Sequence, residues 1–183
     1  FDDPWIIEGQ GTIGLEILEE WPDLDTVIVP LSGGGLIAGI GLALKTINPC
    51  IQVIGVSQER SPVMYHSLQA GHPVTLPDQE TLADALVGGI DLANRYTFSL
   101  VQRYVDQVYL VSEAEIAQAI RFLLATHHLV VEGGGAVGVA ALLASKIRLP
   151  GRNVVCILSG GNIDLPVLAG LLDGRNPKPT ASP

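Results

Sequence analysis

An α/β fold, with a doubly wound, mostly parallel sheet and helices on both faces, is predicted by three features of the sequence. Short β-branched apolar runs alternate with helical stretches along most of the chain. The runs are apolar throughout, the pattern of strands buried on both faces. Hydrophobic residues make up 48% of 183, yet no charge-free apolar run reaches the ~18 residues of a membrane span. The richest stretch, residues 129–145, is interrupted by Glu132 and holds four glycines. Such apolar content belongs to a core.

In order, residues 10–20 read as a helix closed by Trp21-Pro22. Val27 to Leu31 is a buried strand, Ser32 to Gly35 a glycine turn, and residues 36–46 a helix apolar on nearly every side. A second strand spans 51–56. Ser61-Pro62 offers an N-cap followed by proline at the first helical position, opening a helix that ends near Gly71. Residues 71–81 hold two prolines and read as a loop, 82–89 are ambiguous, and 92–105 form a helix. A third strand covers 107–111, and Ser112-Glu113-Ala114-Glu115 is a capping box that starts a helix to about His127. Val130-Val131-Glu132 ends an apolar strand that leads into Gly133-Gly134-Gly135 and an alanine-rich helix to Lys146. A fourth strand over 153–158 ends in Ser159-Gly160-Gly161, and 164–172 is the last helix. Residues 1–172 thus form one α/β layer, and 173–183, rich in proline and polar residues, a flexible tail.

Ligands on such sheets bind at the carboxyl ends of the strands. Three polar glycine-rich turns fall near that edge, at Ser32–Gly35, Glu132–Gly135 and Ser159–Gly161. The first joins strand to helix directly. Its unpartnered backbone N–H groups and the helix dipole favour an anion, and its glycines admit a phosphate to the backbone. A tight turn with nothing bound is the alternative. Ser159 sits where a hydroxyl can donate to a heterocyclic nitrogen or simply cap the next turn. Glu132 faces a glycine turn, either as a site residue or as a carboxylate bonded to backbone N–H groups.

Other chemistries fit less well. Gly33, Gly35 and Ala38 satisfy the dinucleotide fingerprint, with Glu59 lying 21 residues past Ala38, but Glu59 follows Ser57-Gln58 and does not end the strand. No Gly-Lys-Ser/Thr follows the turn, which excludes a P-loop, and neither serine lies in a Gly-x-Ser-x-Gly elbow. His66, His72, His127 and His128 lack metal-ligand spacing, so no metal site is expected. A net charge of −9 argues against nucleic acid or an anionic membrane as partner. Two cysteines, Cys50 and Cys156, the latter inside an apolar strand, fit a reducing, cytoplasmic setting. The chain opens at Phe1 and its only methionine is Met64, which reads as a portion of a longer polypeptide.

Five motifs together carry a resemblance. They are Glu8-Gly9-Gln10-Gly11-Thr12-Ile13-Gly14-Leu15-Glu16-Ile17, Ser32-Gly33-Gly34-Gly35-Leu36-Ile37-Ala38-Gly39 and Thr81-Leu82-Ala83-Asp84. Val131-Glu132-Gly133 with Gly138-Val139-Ala140-Ala141, and Cys156 to Asp164, complete the set. In order and spacing, over about residues 1–164, they resemble the threonine dehydratase and serine racemase family, fold-type II enzymes that use pyridoxal 5′-phosphate (PLP). The resemblance implies that 1–172 is the C-terminal portion of an incomplete PLP-binding large domain. Ser32, Gly33, Gly34, Gly35 and Leu36 would cradle the phosphate. Ser159 would hydrogen-bond the pyridine nitrogen, with Gly160 beside it. Glu132 would lie near the ring, and Ala85, where relatives often carry glycine, would bring backbone close.

The implied activity is elimination of water from a hydroxy-amino acid such as threonine or serine, giving a keto acid and ammonia, in a cytoplasmic homo-oligomer. The family's Schiff-base lysine lies in an earlier Ser-x-Lys-x-Arg motif that this chain lacks, and Lys45, Lys146 and Lys178 have ordinary explanations. No catalytic residue is therefore expected here. The lysine would come from a missing N-terminal portion, without which the chain is inactive and its sheet keeps a raw edge. Ser57 and Val63 stand where metal-activated relatives carry acidic ligands. Residues 88–98 look closest to the hydroxyectoine-utilisation dehydratases. Two alternatives stay open: a non-catalytic PLP-binding or interaction fragment, and a dinucleotide-binding oxidoreductase domain with Glu59 on a ribose.

Overall fold

Successive side chains of a strand point to opposite faces, so apolar residues at every position of a strand demand cover on both sides. The computed structural model describes residues 1–149 and 151–174. Its strands are β1 (Thr26–Pro30), β2 (Gln52–Gln58), β3 (Gln107–Val111) and β4 (Val154–Cys156), all parallel, in the order β3-β2-β1-β4. Val27 stands beside Val53 and Val155, and Ile28 beside Ile54 and Cys156. Val27, Val29 and Val53 join one core, while Ile28, Ile54 and Val56 join the other.

The first core takes in α1 (Pro4–Glu20), α2 (Gly35–Ile47), α3 (Val63–Ala70) and α4 (Thr97–Tyr104), through residues such as Ile17, Ile40, Met64 and Val101. The second takes in α5 (Glu113–Phe122), α6 (Gly133–Leu143) and α7 (Leu165–Leu172), through Ile116, Ala140 and Leu171. This is the doubly wound α/β arrangement. From β1 the chain steps outward to β2 and β3, then returns past β1 to lay β4 on its other side. That reversal opens a crevice at the carboxyl ends of β1 and β4.

Local chemistry explains most boundaries. Ser112 and Glu115 form the expected capping box, with the Ser112 N–H donating to Glu115 at 2.7 Å. The helix it opens runs on through a π turn, Leu123–His127, and stops at left-handed His128. α1 begins at Pro4, six residues before the expected start, because Asp3 accepts the N–H groups of Trp5 and Ile6 (2.9 and 3.3 Å). α2 crosses it so closely that a Cβ on Gly39 would overlap the Ile7 carbonyl.

Other expectations are corrected. Pro62, not Ser61, precedes α3, and Ser61 Oγ donates instead to the Pro77 carbonyl at 2.9 Å. α4 starts at Thr97 and not Leu92, since left-handed Asp91 turns the chain and the Asp2 carboxylate binds the N–H groups of residues 95–97. The expected strand ending at Glu132 does not form; the Glu132 N–H donates to the Gly160 carbonyl at 3.1 Å. The fourth strand is shorter than 153–158, although the Ile157 N–H still reaches the Ile28 carbonyl at 2.9 Å. α6 ends at Leu143, before left-handed Ser145. Of the expected tail, Asp173 and Gly174 close α7, and residues 175–183 lie outside the described residues. Among the described residues no helix is long and apolar enough to cross a membrane.

One ion pair gives the fold a pH dependence. Lys146 Nζ lies 2.7 Å from Glu115 Oε2 and also donates to the Leu110 carbonyl at 2.9 Å. Partial burial raises the Glu115 carboxyl, but bonds from Lys146 and Ser112 outweigh it and hold the group below the usual carboxylate range. A folded value below the unfolded one adds stability above the unfolded value of about 4.3, and that stability disappears as pH falls through the folded value. Glu115→Gln should therefore melt lower than the unaltered protein at pH 7 and lose less of its melting temperature between pH 6 and pH 3. Parallel melting curves for the two proteins would remove Glu115 from the acid response.

Candidate functional site

The crevice at the strand reversal is built from three chain turns. Beyond β1, Ser32 and Gly33 lead to Gly34, whose φ of +93° suits glycine and sets the N-terminus of α2. No side chain caps that end, so the first N–H groups of α2 open into the crevice. Ser32 Oγ donates to the Leu86 carbonyl at 3.1 Å, which draws the 3₁₀ turn Asp84–Leu86 against the glycine turn. The second contribution is α6, also without a side-chain cap. The third is the chain leaving β4 through Leu158 to Ser159.

These turns enclose a cavity of about 320 Å³. Ser32, Gly33, Gly34, Gly35 and Leu36 line it, joined by Ala85, Glu132 and Ser159. Eight of the nine residues named from sequence thus share one wall, although they come from four separate stretches of chain. Gly160 is not on that wall; it lies under the Glu132 carboxylate, and a Cβ there would stand 2.7 Å from Glu132 Cδ. Glu132 accepts the Asn162 N–H at 2.8 Å, so it is both a wall residue and a backbone-bonded carboxylate.

A second cavity of about 650 Å³ continues from the first, sharing Phe1, Gly35, Leu36 and Ser159, and runs along β4 past Cys156. Burial pushes the Cys156 thiol up to about 12, so it stays protonated. Sequence reasoning missed Phe1, Pro30, Leu86 and Gly134 as wall residues. Gly134 belongs to a turn already singled out. Phe1 and Leu86 carry no local signal, because only tertiary packing brings them here.

The other residues raised from sequence lie elsewhere. Glu59 follows the end of β2, where its N–H donates to the Val111 carbonyl at 3.0 Å. Ser57 and Val63 are buried in β2 and at the start of α3. Lys45 pairs with Asp106 at 2.8 Å and Lys146 with Glu115, and neither lines either cavity. Lys178 lies outside the described residues.

A family model described as "Pyridoxal-phosphate dependent enzyme" matches residues 1–160. The chain belongs to that family. The L-threonine ammonia-lyase of Thermotoga maritima is 46% identical over 173 residues, covering 94% of this chain and 42% of that protein. The catabolic L-threonine dehydratase of Escherichia coli K12 is 47% identical over 169 residues, 90% of this chain and 50% of that one. The structure of the processed form of threonine deaminase isoform 2 from Solanum lycopersicum superposes with a TM-score of 0.84 at 37% identity. It covers 94% of this chain and 50% of its own. The chain spans about half the length of the curated relatives it matches. Family membership replaces the dinucleotide reading with a PLP one.

The crevice fits that cofactor. Two uncapped helix starts supply N–H groups for a phosphate, Gly134 and Gly35 keep Cβ atoms off both, and Ser159 adds a neutral hydroxyl. The two adjoining cavities fall within the usual size of cofactor sites, roughly 300–1,000 Å³ each.

Proposed function

We propose that this chain supplies the PLP site of a dehydratase that eliminates water from a hydroxy-amino acid such as threonine or serine, releasing a keto acid and ammonia. The observation that carries the reading is the opening of the α2 and α6 N-termini onto one cavity that Ser159 also lines. Bound PLP supplies an electron sink for the amino acid's α-carbon. Ser32 to Leu36 hold its phosphate through backbone N–H groups. Ser159 Oγ would donate to the pyridine nitrogen without protonating it, a setting that would moderate the sink and suit β-elimination. Ala85 and Glu132 would border the ring, and Gly160, lacking a Cβ, leaves room for the Glu132 carboxylate over it.

The lysine that anchors the cofactor comes, in this reading, from the half of the polypeptide that the relatives have and these residues do not supply. Both candidate lysines of the described chain are held in ion pairs away from the cavity, which supports that division. So does the half-buried β4, at a sheet edge flanked by the larger cavity. Trp5, Leu15 and Trp21 remain exposed on and beside α1, apolar surface open to a second copy in a homo-oligomer. Cys50 and Cys156 are free thiols, in keeping with a cytoplasmic setting.

Borohydride reduction of the complete protein followed by peptide mass spectrometry tests the reading. A reduced PLP adduct is expected on a lysine outside residues 1–183. A label on Lys45 or Lys146 would overturn the division of labour, and PLP binding with no labelled lysine would make the protein a non-catalytic binder.

A further inference from the structure

Asp2 lines neither cavity, yet three backbone N–H groups converge on its carboxylate. Oδ1 accepts from Tyr96 and Thr97 at 2.9 and 2.8 Å, and Oδ2 from Arg95 at 2.7 Å. A residue 93 to 95 positions away therefore caps α4. The first turns of α4 lie directly under the glycine turn: a Cβ on Gly34 would stand 2.9 Å from Val101 Cγ2 and 3.3 Å from Thr97 Cβ. On the opposite side, the residue next to Asp2 covers the same turn. A Cβ on Gly33 would meet the Phe1 ring at 2.7 Å, and one on Gly35 would meet Phe1 Cβ and the Phe1 carbonyl oxygen at 3.1 Å.

We infer that Asp2 is a positioning residue for the phosphate cradle, its one carboxylate tying the helix beneath Gly34 to the residue that covers Gly33 and Gly35. The inference rests on the PLP reading above. α4 keeps a second cap of its own, since Asn94 Oδ1 accepts the Phe98 N–H at 2.8 Å and Asn94 Nδ2 donates to Thr97 Oγ1 at 2.8 Å. Loss of Asp2 thus loosens where α4 sits and leaves the helix formed. Asp3 is a natural control: it caps α1 with two bonds, is adjacent in sequence, and makes no bond to α4.

The test compares binding of PLP with binding of pyridoxal, which lacks the phosphate, by absorbance titration of the complete protein. Asp2→Ala should raise the PLP dissociation constant about tenfold, the scale of losing one helix cap, and Asp2→Asn less. Pyridoxal affinity should be unchanged in both, and Asp3→Ala should leave PLP affinity within about twofold. Equal losses for PLP and pyridoxal, or none in Asp2→Ala, overturn the positioning role. If Asp2→Ala does not fold, the PLP-to-pyridoxal ratio of Asp2→Asn decides in the same way. An unaltered protein that binds no PLP overturns the proposed function as well; one that binds PLP while the Asp2 variants match it overturns this inference alone.

Discussion

Replacing Gly34 with alanine is expected to weaken PLP binding about 100-fold and to lower folding stability by about 2–5 kcal/mol. Two costs add. The backbone there has φ +93°, where an L side chain is strained by about 1–2 kcal/mol. The new methyl group would stand 2.9 Å from Val101 Cγ2 and 3.0 Å from Met64 Cε, and overpacking of that kind costs about 1–3 kcal/mol. Either the turn rotates or α4 withdraws, and both misdirect the N–H groups that open α2. Losing one or two hydrogen bonds to a charged group, at about 1.5–3 kcal/mol each, accounts for the affinity. Gly33→Ala is the comparison, because the atoms nearest its Cβ belong to the Phe1 side chain and its φ is not positive. Urea melts and PLP titrations of both variants check the claim; equal behaviour would mean that the left-handed turn is not what shapes the cradle.

Gly133→Ala should be the most destabilising single methyl group at the site, by about 2–6 kcal/mol, a large share of the 5–15 kcal/mol typical of a domain. Alanine inside a helix ordinarily stabilises it by about 1 kcal/mol over glycine, so helix propensity predicts the opposite sign. Packing decides the matter. The added Cβ would overlap the Leu82 carbonyl and stand 2.8 Å from the Ala83 nitrogen, and backbone cannot swing aside as a side chain can.

The obstructing segment is itself tied down. Glu113 Oε2 accepts the Leu82 N–H at 2.8 Å, Glu113 Oε1 accepts from Thr81 Oγ1, and Thr81 Oγ1 accepts the Ala83 N–H at 3.1 Å. Relieving the overlap breaks some of those bonds, at about 1–3 kcal/mol for each buried group left unpaired, and carries Ala85 and Leu86 off the cavity wall. Gly134→Ala, whose Cβ would meet only the Ala85 and Leu86 side chains at 3.2 Å and beyond, should cost far less. A Gly133→Ala protein with an undiminished urea midpoint would overturn this account of the loop.

Much of the candidate site is legible in sequence because glycine turns, caps and strand runs are local. The strand before Ser32, the turn through Gly35 and the capping box at Ser112 each follow from neighbouring residues, and each forms where expected. The Asp3-Pro4 start of α1 was equally local, a signal that apolar periodicity alone passes over. A match of several motifs in order then points to PLP, since a phosphate needs open N–H groups wherever it binds.

Where distant pieces meet is set by packing around the sheet. Strand order places the ends of β1 and β4 side by side, so that Ser159 and the Ser32 turn share one cavity. The helix expected from Leu92 starts instead at Thr97, because Asp2 binds the N–H groups of residues 95–97 from across the molecule. Glu132 ends no strand, since the Gly160 carbonyl accepts its N–H and its own carboxylate accepts the Asn162 N–H. Elements such as β1, α2 and α5 and the chemistry of the turns follow from neighbours along the chain and could be read from it directly. Folding decided which turns face one another and which carboxylates hold them, because those bonds join groups that only packing around the sheet brings within reach.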